Sequence, residues 1–247
     1  MVSAWLPLPR LEGAVELLDR PGNRSEEIRE SLRDLERLNR HFGGVRTVLL
    51  HLSRMVGEPA QTPLAILDIA TGAADIPRAI CHWARERNLA VTVEAVDWNN
   101  QVLAAATEWS EGFPEIRLRQ AEAPPLPYPD QSFDFVISSL FFHHLSEAQG
   151  IFLLREMGRV ARRGLIVNDL LRSRLARLLT AITTRVLSTN RLTRHDGPVS
   201  ILRGFRPDEL LRMAGEAGLA EVRLSLHPWF RIALIKEIAL SAQERTA

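Results

Sequence analysis

From Leu64 onward the chain alternates short apolar runs with stretches of helical periodicity: LAILDI, DIPRAICHWARER, AVTVEAVD, NQVLAAATEW, EIRLRQ and FDFVISS follow one another in that order. Continuous apolar runs of this length read as buried strands, and strands that alternate with helices require βαβ crossovers. The class this dictates is α/β, with a mainly parallel sheet. The rest of the chain extends the pattern: a helix near Glu147 to Val160, a strand GLIVND, a helix around Arg172 to Leu187, a helix RPDELLRMAGEAG, and the closing strands LAEVRLSL and WFRIALIKEIA.

Ahead of this lies a different region. From Leu11 to about Val56 the pattern reads as all helical, with Leu32, Leu35 and Leu38 at three-residue spacing and VLLHL after a Gly43-Gly44 break. The stretch GEPAQTP then separates it from the first strand. The expected organisation is therefore a helical segment over residues 1–60 and an α/β domain over 61–247.

Composition removes several classes. Of 247 residues, 31 are Lys or Arg and 30 are Asp or Glu, so a net charge of +1 gives no general reason to bind nucleic acid or an acidic membrane. The single cysteine, Cys81, cannot form an internal disulfide, which fits a reducing cytoplasm. The N-terminal MVSAWLPLPRLEGAVELL lacks a basic start and a small-residue cleavage site, and no run reaches the roughly 18 apolar residues of a membrane span. No His, Cys, Asp or Glu cluster has metal-ligand spacing. The expectation is a cytoplasmic protein without membrane insertion, monomeric or homodimeric.

Three segments carry chemistry. In LDIATGAADIP a strand ends in Asp68, turns through Ala70, Thr71, Gly72 and Ala73, and opens a helix near Asp75. Ligands of open α/β sheets sit at the carboxyl ends of strands, which is where this turn falls; Gly72 would equally serve the turn alone. AVTVEAVD ends in Asp97, a carboxylate able to accept from both hydroxyls of a ribose, or to cap the helix starting at Asn99 to Gln101. In AEAPPLPYPDQSFDFVISSLFFHHL, Glu122 and Ala123 close a third strand, and Asp134 leads into an apolar strand that ends at Ser138 and Ser139.

In that order the segments resemble the class I S-adenosylmethionine-dependent methyltransferases: an acid-small-small-Gly loop, an acid after strand two, acid-Ala-x-x-Leu-Pro, then Ser-Phe-Asp-x-Val before strand four. The likeness runs from about Ala65 to Lys236. It implies a Rossmann-like methyltransferase fold, a seven-stranded sheet with one antiparallel strand from the last hairpin, helices on both faces, and an N-terminal helical lid. It implies S-adenosylmethionine as cofactor. Asp68, Ala70, Thr71, Gly72 and Ala74 then fall in the loop that lies against its methionine and ribose part. Asp97 matches the ribose acid and Trp98 the side chain packed on adenine. Glu122 and Ala123 match the pair that meets the adenine edge, and Ser138 the strand end beside the sulfonium. Ala70 and Ala74 stand where glycines are usual, and Glu122 where aspartate is usual, so a slightly shifted loop is expected.

Several residues suit the acceptor side. His143 and His144 follow strand four, where a neutral imidazole takes a proton from a phenol or enol; adjacent side chains at a helix start diverge, so at most one is expected to line the site. Asp169, after strand five, faces an acceptor or caps the Arg172 helix. His195 and Asp196 are read as a loop that faces the cleft, or as a turn set by Asp196-Gly197-Pro198. Arg172, Arg174, Arg177 and Arg185 lie on an amphipathic helix opposite Leu175, Leu178, Leu179, Ile182 and Val186, read first as a solvated charged face over a packed apolar one, with a cover over the acceptor site, a dimer contact or a lipid contact as the other readings.

The function expected is methyl transfer to a small acceptor, aromatic or polyketide-type, at a phenolic or enolic oxygen. C-methylation of a quinone precursor is the near alternative. A dinucleotide-dependent oxidoreductase would use Asp97 in the same way, but Gly72 alone is left of a Gly-x-Gly-x-x-Gly cradle and Asp75 would crowd the phosphates. A cofactor-binding protein without catalysis is a third reading. A nucleic-acid acceptor is not expected, because there is no basic tract and no stacking platform.

Overall fold

The computed structural model describes residues 8–57 and 63–238. Two helices come first, α1 (Ser25–His41) and α2 (Gly44–Val56). Then follow β1 (Leu64–Ile69), α3 (Asp75–Glu86), β2 (Val91–Asp97), α4 (Asn100–Trp109), β3 (Ile116–Gln120) and β4 (Phe133–Ser139). A 3-10 turn (Phe142–His144) leads into α5 (Glu147–Val160), β5 (Ala161–Leu170), α6 (Arg174–Leu187), α7 (Arg191–Arg203) and α8 (Pro207–Glu216). The chain closes with the hairpin β6 (Arg223–His227) and β7 (Arg231–Glu237).

The seven strands form one sheet in the order β3-β2-β1-β4-β5-β7-β6, parallel except where β7 runs against both its neighbours. The apolar runs are continuous because both faces are covered. On one face Leu67, Ile69, Val136, Leu165 and Val167 meet Leu153, Leu154 and Met157 of α5 and Leu210 and Met213 of α8. On the other, Ile66, Val93, Phe135, Ile137 and Ile166 meet Ile76, Ile80 and Cys81 of α3 and Val48, Leu52 and Val56 of α2. Each of those α2 side chains is worth roughly 1.5–3 kcal/mol of burial.

The helical leader thus divides. α2 belongs to the sheet's own packing, while α1 and the segment before it lie over the cleft. That segment is not helical up to Arg24: Gly13 and Gly22 take positive φ, and the first helix starts only where Glu26 and Glu27 complement its amino end. It is strapped down instead. Leu11 donates to the Leu202 carbonyl at 3.0 Å, Arg172 Nε to the Leu8 carbonyl at 2.8 Å, and the Leu17 and Leu18 amides to the two Asp196 oxygens at 2.7 and 2.9 Å.

Two further expectations change. TRHDGPVS is not a loop but the body of α7, with Pro198 inside the helix; capping by the Asn190 side chain and close packing of Gly197 on Thr184 and Thr180 of α6 outweigh the helix-breaking residues. Moreover, α6 buries Ala176 and Thr184 and exposes its leucines, the reverse of the packing read from its pattern. Only a small-residue face fits against α7 at that distance.

Candidate active site

The site forms where the strand order reverses, between β1 and β4. The turn after β1 holds Ala70, Gly72 and Ala74 at φ of 56, 56 and 57°. Two of the three carry a methyl at an angle that costs an L-residue about 1–2 kcal/mol. A Cβ built on Gly72 meets nothing within 4 Å, so the loop presents bare backbone to open space. Gly72 N–H donates to Asp97 Oδ2 at 2.9 Å and Asn99 N–H to Asp97 Oδ1 at 3.0 Å. Asp97 is therefore fixed rather than capping; Asn99 caps α4, accepting from Gln101 and Val102. Burial pushes the Asp97 carboxyl up, and these amides oppose it.

Asp97 lines a cavity of about 690 Å³ together with Ala70, Thr71, Gly72, Trp98, Glu122 and Ala123. Trp98 is half exposed and Glu122 exposed, past the end of β3 at Gln120 rather than within it. Three residues expected at the cofactor, Asp68, Ala74 and Ser138, are not on the cavity wall, and Ala74 is fully buried. Asp68 is buried one residue inside β1; burial first, then the charges of Asp75 and Asp97, push its carboxyl up to about 8, and its Oδ1 has no hydrogen-bond partner. Ser138 turns into the sheet and donates to the Ile69 carbonyl at 3.4 Å, so Ser139 lines the cavity in its place. Side chains alternate along a strand, and a one-residue error changes the face.

At the cavity's other end stands a cluster that no local motif announces. Both His143 and His144 line it, their ring centroids 4.4 Å apart, because they sit on a short 3-10 turn rather than a regular helix. Asp169 holds His143 twice, accepting from its backbone N–H at 2.9 Å and from Nδ1 at 2.7 Å. It neither faces the cavity nor caps α6, whose cap is Ser173. Glu16, from the leader, places Oε1 3.4 Å from His143 Nε2 and Oε2 3.7 Å from His144 Nε2, and accepts from Ser200 Oγ at 2.7 Å. Asp19 Oδ2 lies 3.0 Å from His144 Nδ1. Burial works against charge on His143, but Asp169 and Glu16 outweigh it and raise the imidazole to about 9. Burial likewise opposes charge on Glu16, yet His143, His144 and Ser200 hold its carboxyl down at about 2.

The pair Glu16 and His143 is thus ionised at neutral pH. His144 Nε2 has no acceptor within hydrogen-bond reach, and its side chain is 23% exposed. His195 is not on the wall; its ring contacts Asp196 at 2.8 Å and points outward, and Asp196 lines the cavity instead. Ligating atoms of Glu16, His143 and His144 lie within 4.8 Å of one another, the one such group among the described residues, brought together by the strapped leader and therefore invisible to spacing.

Arg231 was also missed. It is 4% exposed and lines the cavity from the first position of β7. Its Nη2 donates to Asn39 Oδ1 at 2.9 Å, while its Nη1 has no partner. Burial lowers its guanidinium to about 10 although Asp169 and Asp75 oppose this. An arginine opening an otherwise apolar strand, RIALI, was the available signal.

Residues 66–164 match the family model of a methyltransferase domain. That stretch, less than half of the chain, carries a methyltransferase domain, and in its motifs it resembles the class I S-adenosylmethionine-dependent methyltransferases. The chain is 28% identical over 98 residues to a demethylmenaquinone methyltransferase of Bacillus licheniformis, covering 40% of each chain. It is 26% identical over 124 residues to the enzyme of that name in Lysinibacillus sphaericus, covering 50% of this chain and 48% of that one. The matches thus span less than half the length of these relatives. In fold it is similar to a methyltransferase of Aquifex aeolicus, with TM-score 0.61, 19% identity, and 85% and 98% of the two chains covered. Human N-acetylserotonin methyltransferase, solved with S-adenosylmethionine, gives TM-score 0.61 at 16% identity, over 87% of this chain and 56% of that one.

The methyltransferase cofactor is S-adenosylmethionine, and the residues present fit it. Asp97 offers a fixed carboxylate, the Gly72 loop bare backbone, and Trp98 an exposed indole. Arg231 Nη1 is a buried cationic donor without an anion, suited to the cofactor's carboxylate.

Proposed function

We propose that the protein transfers the methyl group of S-adenosylmethionine to a small, mainly apolar acceptor, aromatic or polyketide-type, at a phenolic or enolic oxygen. The observation that carries this is the single cavity running from Asp97 and Gly72 to the histidine pair, walled between them by Phe42, Leu140, Phe141 and Leu145. Its volume falls within the roughly 300–1,000 Å³ of small-molecule sites. When bound, the cofactor supplies an electrophilic methyl carbon. Asp97, Glu122, Ala123 and Trp98 hold its nucleoside and Arg231 its carboxylate.

Within this reading His144 is the base. Asp19 faces Nδ1, which leaves the Nε2 lone pair to take the acceptor's proton. His143 is already protonated and enclosed by Asp169 and Glu16, so it positions its neighbour and does not itself exchange protons with substrate. Alignment of acceptor and cofactor supplies most of the rate. Cytoplasmic action as a monomer or homodimer on a small molecule accompanies this reading.

C-methylation of a quinone precursor is the second reading, favoured by the names of the two bacterial relatives. Calorimetric titration with S-adenosylmethionine, S-adenosylhomocysteine and NADH, repeated on Asp97→Ala, tests the cofactor. Loss of two hydrogen bonds to a carboxylate, about 1.5–3 kcal/mol each, predicts at least 100-fold weaker binding of the sulfur nucleotides. NADH binding without them would overturn the proposal. Product analysis with phenolic and quinol acceptors then separates O- from C-transfer, and His144→Gln should slow O-methylation by about 10²-fold or more while leaving cofactor affinity intact.

A further inference from the structure

α6 is packed inside out. Leu175, Leu178, Leu179, Ile182 and Val186 recur at the helical period along one stripe, and all are exposed, Leu178 by 57% and Val186 by 74%. The face turned inward is Ala176, Thr180 and Thr184, seated on Gly197 of α7, where a Cβ would come within 2.8 Å of Thr184 Cγ2. A contiguous aliphatic stripe in water, about 17 Å long at 1.5 Å per residue, marks an interface.

The charges decide what covers it. Residues 170–195 contain six arginines and no Asp or Glu. Arg172 is paired with Glu209 and Arg191 with Glu27. Arg174, Arg177 and Arg185 are exposed and form no ion pair among the described residues. A second copy related by a two-fold axis would set α6 against α6, arginines facing arginines with no acid on the helix itself to pair with them, the nearest being Glu30 and Asp34 of α1 beside its Val186 end. An anionic lipid surface neutralises the same groups while its acyl boundary takes the leucines. Leu179, Thr180 and Thr183 also line the active-site cavity, so this helix is a wall shared by the cavity and the exposed stripe.

We infer that α6 docks the protein on the surface of an anionic bilayer, lying in the interface beside the entrance for an apolar acceptor. It does not cross: among the described residues no helix is long and apolar enough to span a membrane. A net charge of +1 concealed this, because the excess of arginine is local. The docking stands whether or not the methyl-transfer reading holds, since it concerns a surface and not the reaction.

The test is co-sedimentation of the full chain with vesicles of phosphatidylglycerol and phosphatidylcholine in equal parts, and with phosphatidylcholine alone. Binding is expected to the anionic vesicles and to weaken with salt. Leu178→Glu with Ile182→Glu should abolish it, and Arg174→Gln, Arg177→Gln and Arg185→Gln together should lower partitioning about five-fold per arginine. Thermal unfolding, unchanged in these surface variants, reports that they fold. Failure to bind either vesicle, or variants that bind like the parent chain, overturns the inference. So does a dimer in light scattering that Leu178→Glu with Ile182→Glu dissolves, because a second copy would then own the stripe.

Discussion

Glu16→Gln is the most informative single change. The carboxyl sits at about 2 against an ordinary value of 4.5, held there by His143, His144 and Ser200 against its own burial. That difference corresponds to stabilisation on the order of 3 kcal/mol, the lower end of the cost of breaking a buried ion pair. His143 is the other half of the same interaction, so its shift from 6.5 up to about 9 is not added again. The sign follows from both partners. Glu16 is depressed, so its contribution is complete above 4.5 and fades as pH falls toward 2. His143 is elevated, so its contribution is complete below 6.5 and fades as pH rises through 9. At pH 6 the variant should melt about 6–12 °C below the parent chain, and the gap should narrow above pH 9. Because Glu16 lies in the strapped leader, hydrogen exchange at the Leu17 and Leu18 amides should accelerate as well. A variant within 0.5 kcal/mol at pH 6, a threshold below ordinary surface effects, or a gap that stays constant from pH 6 to 10, would refute the account of this cluster.

Other changes probe the backbone and the α6 seat. Ala70→Gly relieves a positive φ and should raise stability by about 0.5 kcal/mol after the glycine's added chain entropy, read as roughly 1–2 °C in melting temperature. Ala74→Gly should show no such gain, because Ala74 is fully buried and its methyl contributes roughly 0.8 kcal/mol. Gly197→Leu forces side-chain atoms into Thr184 and Thr180 and should cost about 1–3 kcal/mol by denaturant titration, with α6 loosened first in hydrogen exchange.

Much of the fold was legible because its signals are local. The strand runs LAILDI and FDFVISS needed only apolar continuity, and α5 was read to its boundaries, Glu147 to Val160, with a capping box between Ser146 and Gln149 in support. Part of the cavity wall was legible in the same way: Gly72 and Asp97 stand at strand-end turns that the residues themselves mark, whereas Trp98 and Glu122, which line the same cavity, were expected there only from the family resemblance. Errors arose where a neighbour decides. Ser138 and Ser139 differ only in which side of β4 they face, and Asp169 was drawn inward by His143 rather than outward to an acceptor.

The sequence by itself therefore determined the α/β class, the strand order's carboxyl-end loops and the acids that mark them, since these depend on periodicity and on residues a few positions apart. Tertiary structure alone decided the rest. Glu16 meets His143 only because Asp196 and Arg172 fasten the leader across α7, and Arg231 reaches Asn39 only because β7 is laid beside β5. The amphipathic pattern of α6 told that one face is apolar but not which way it turns, because that depends on whether the space against α7 admits leucine or only alanine and threonine.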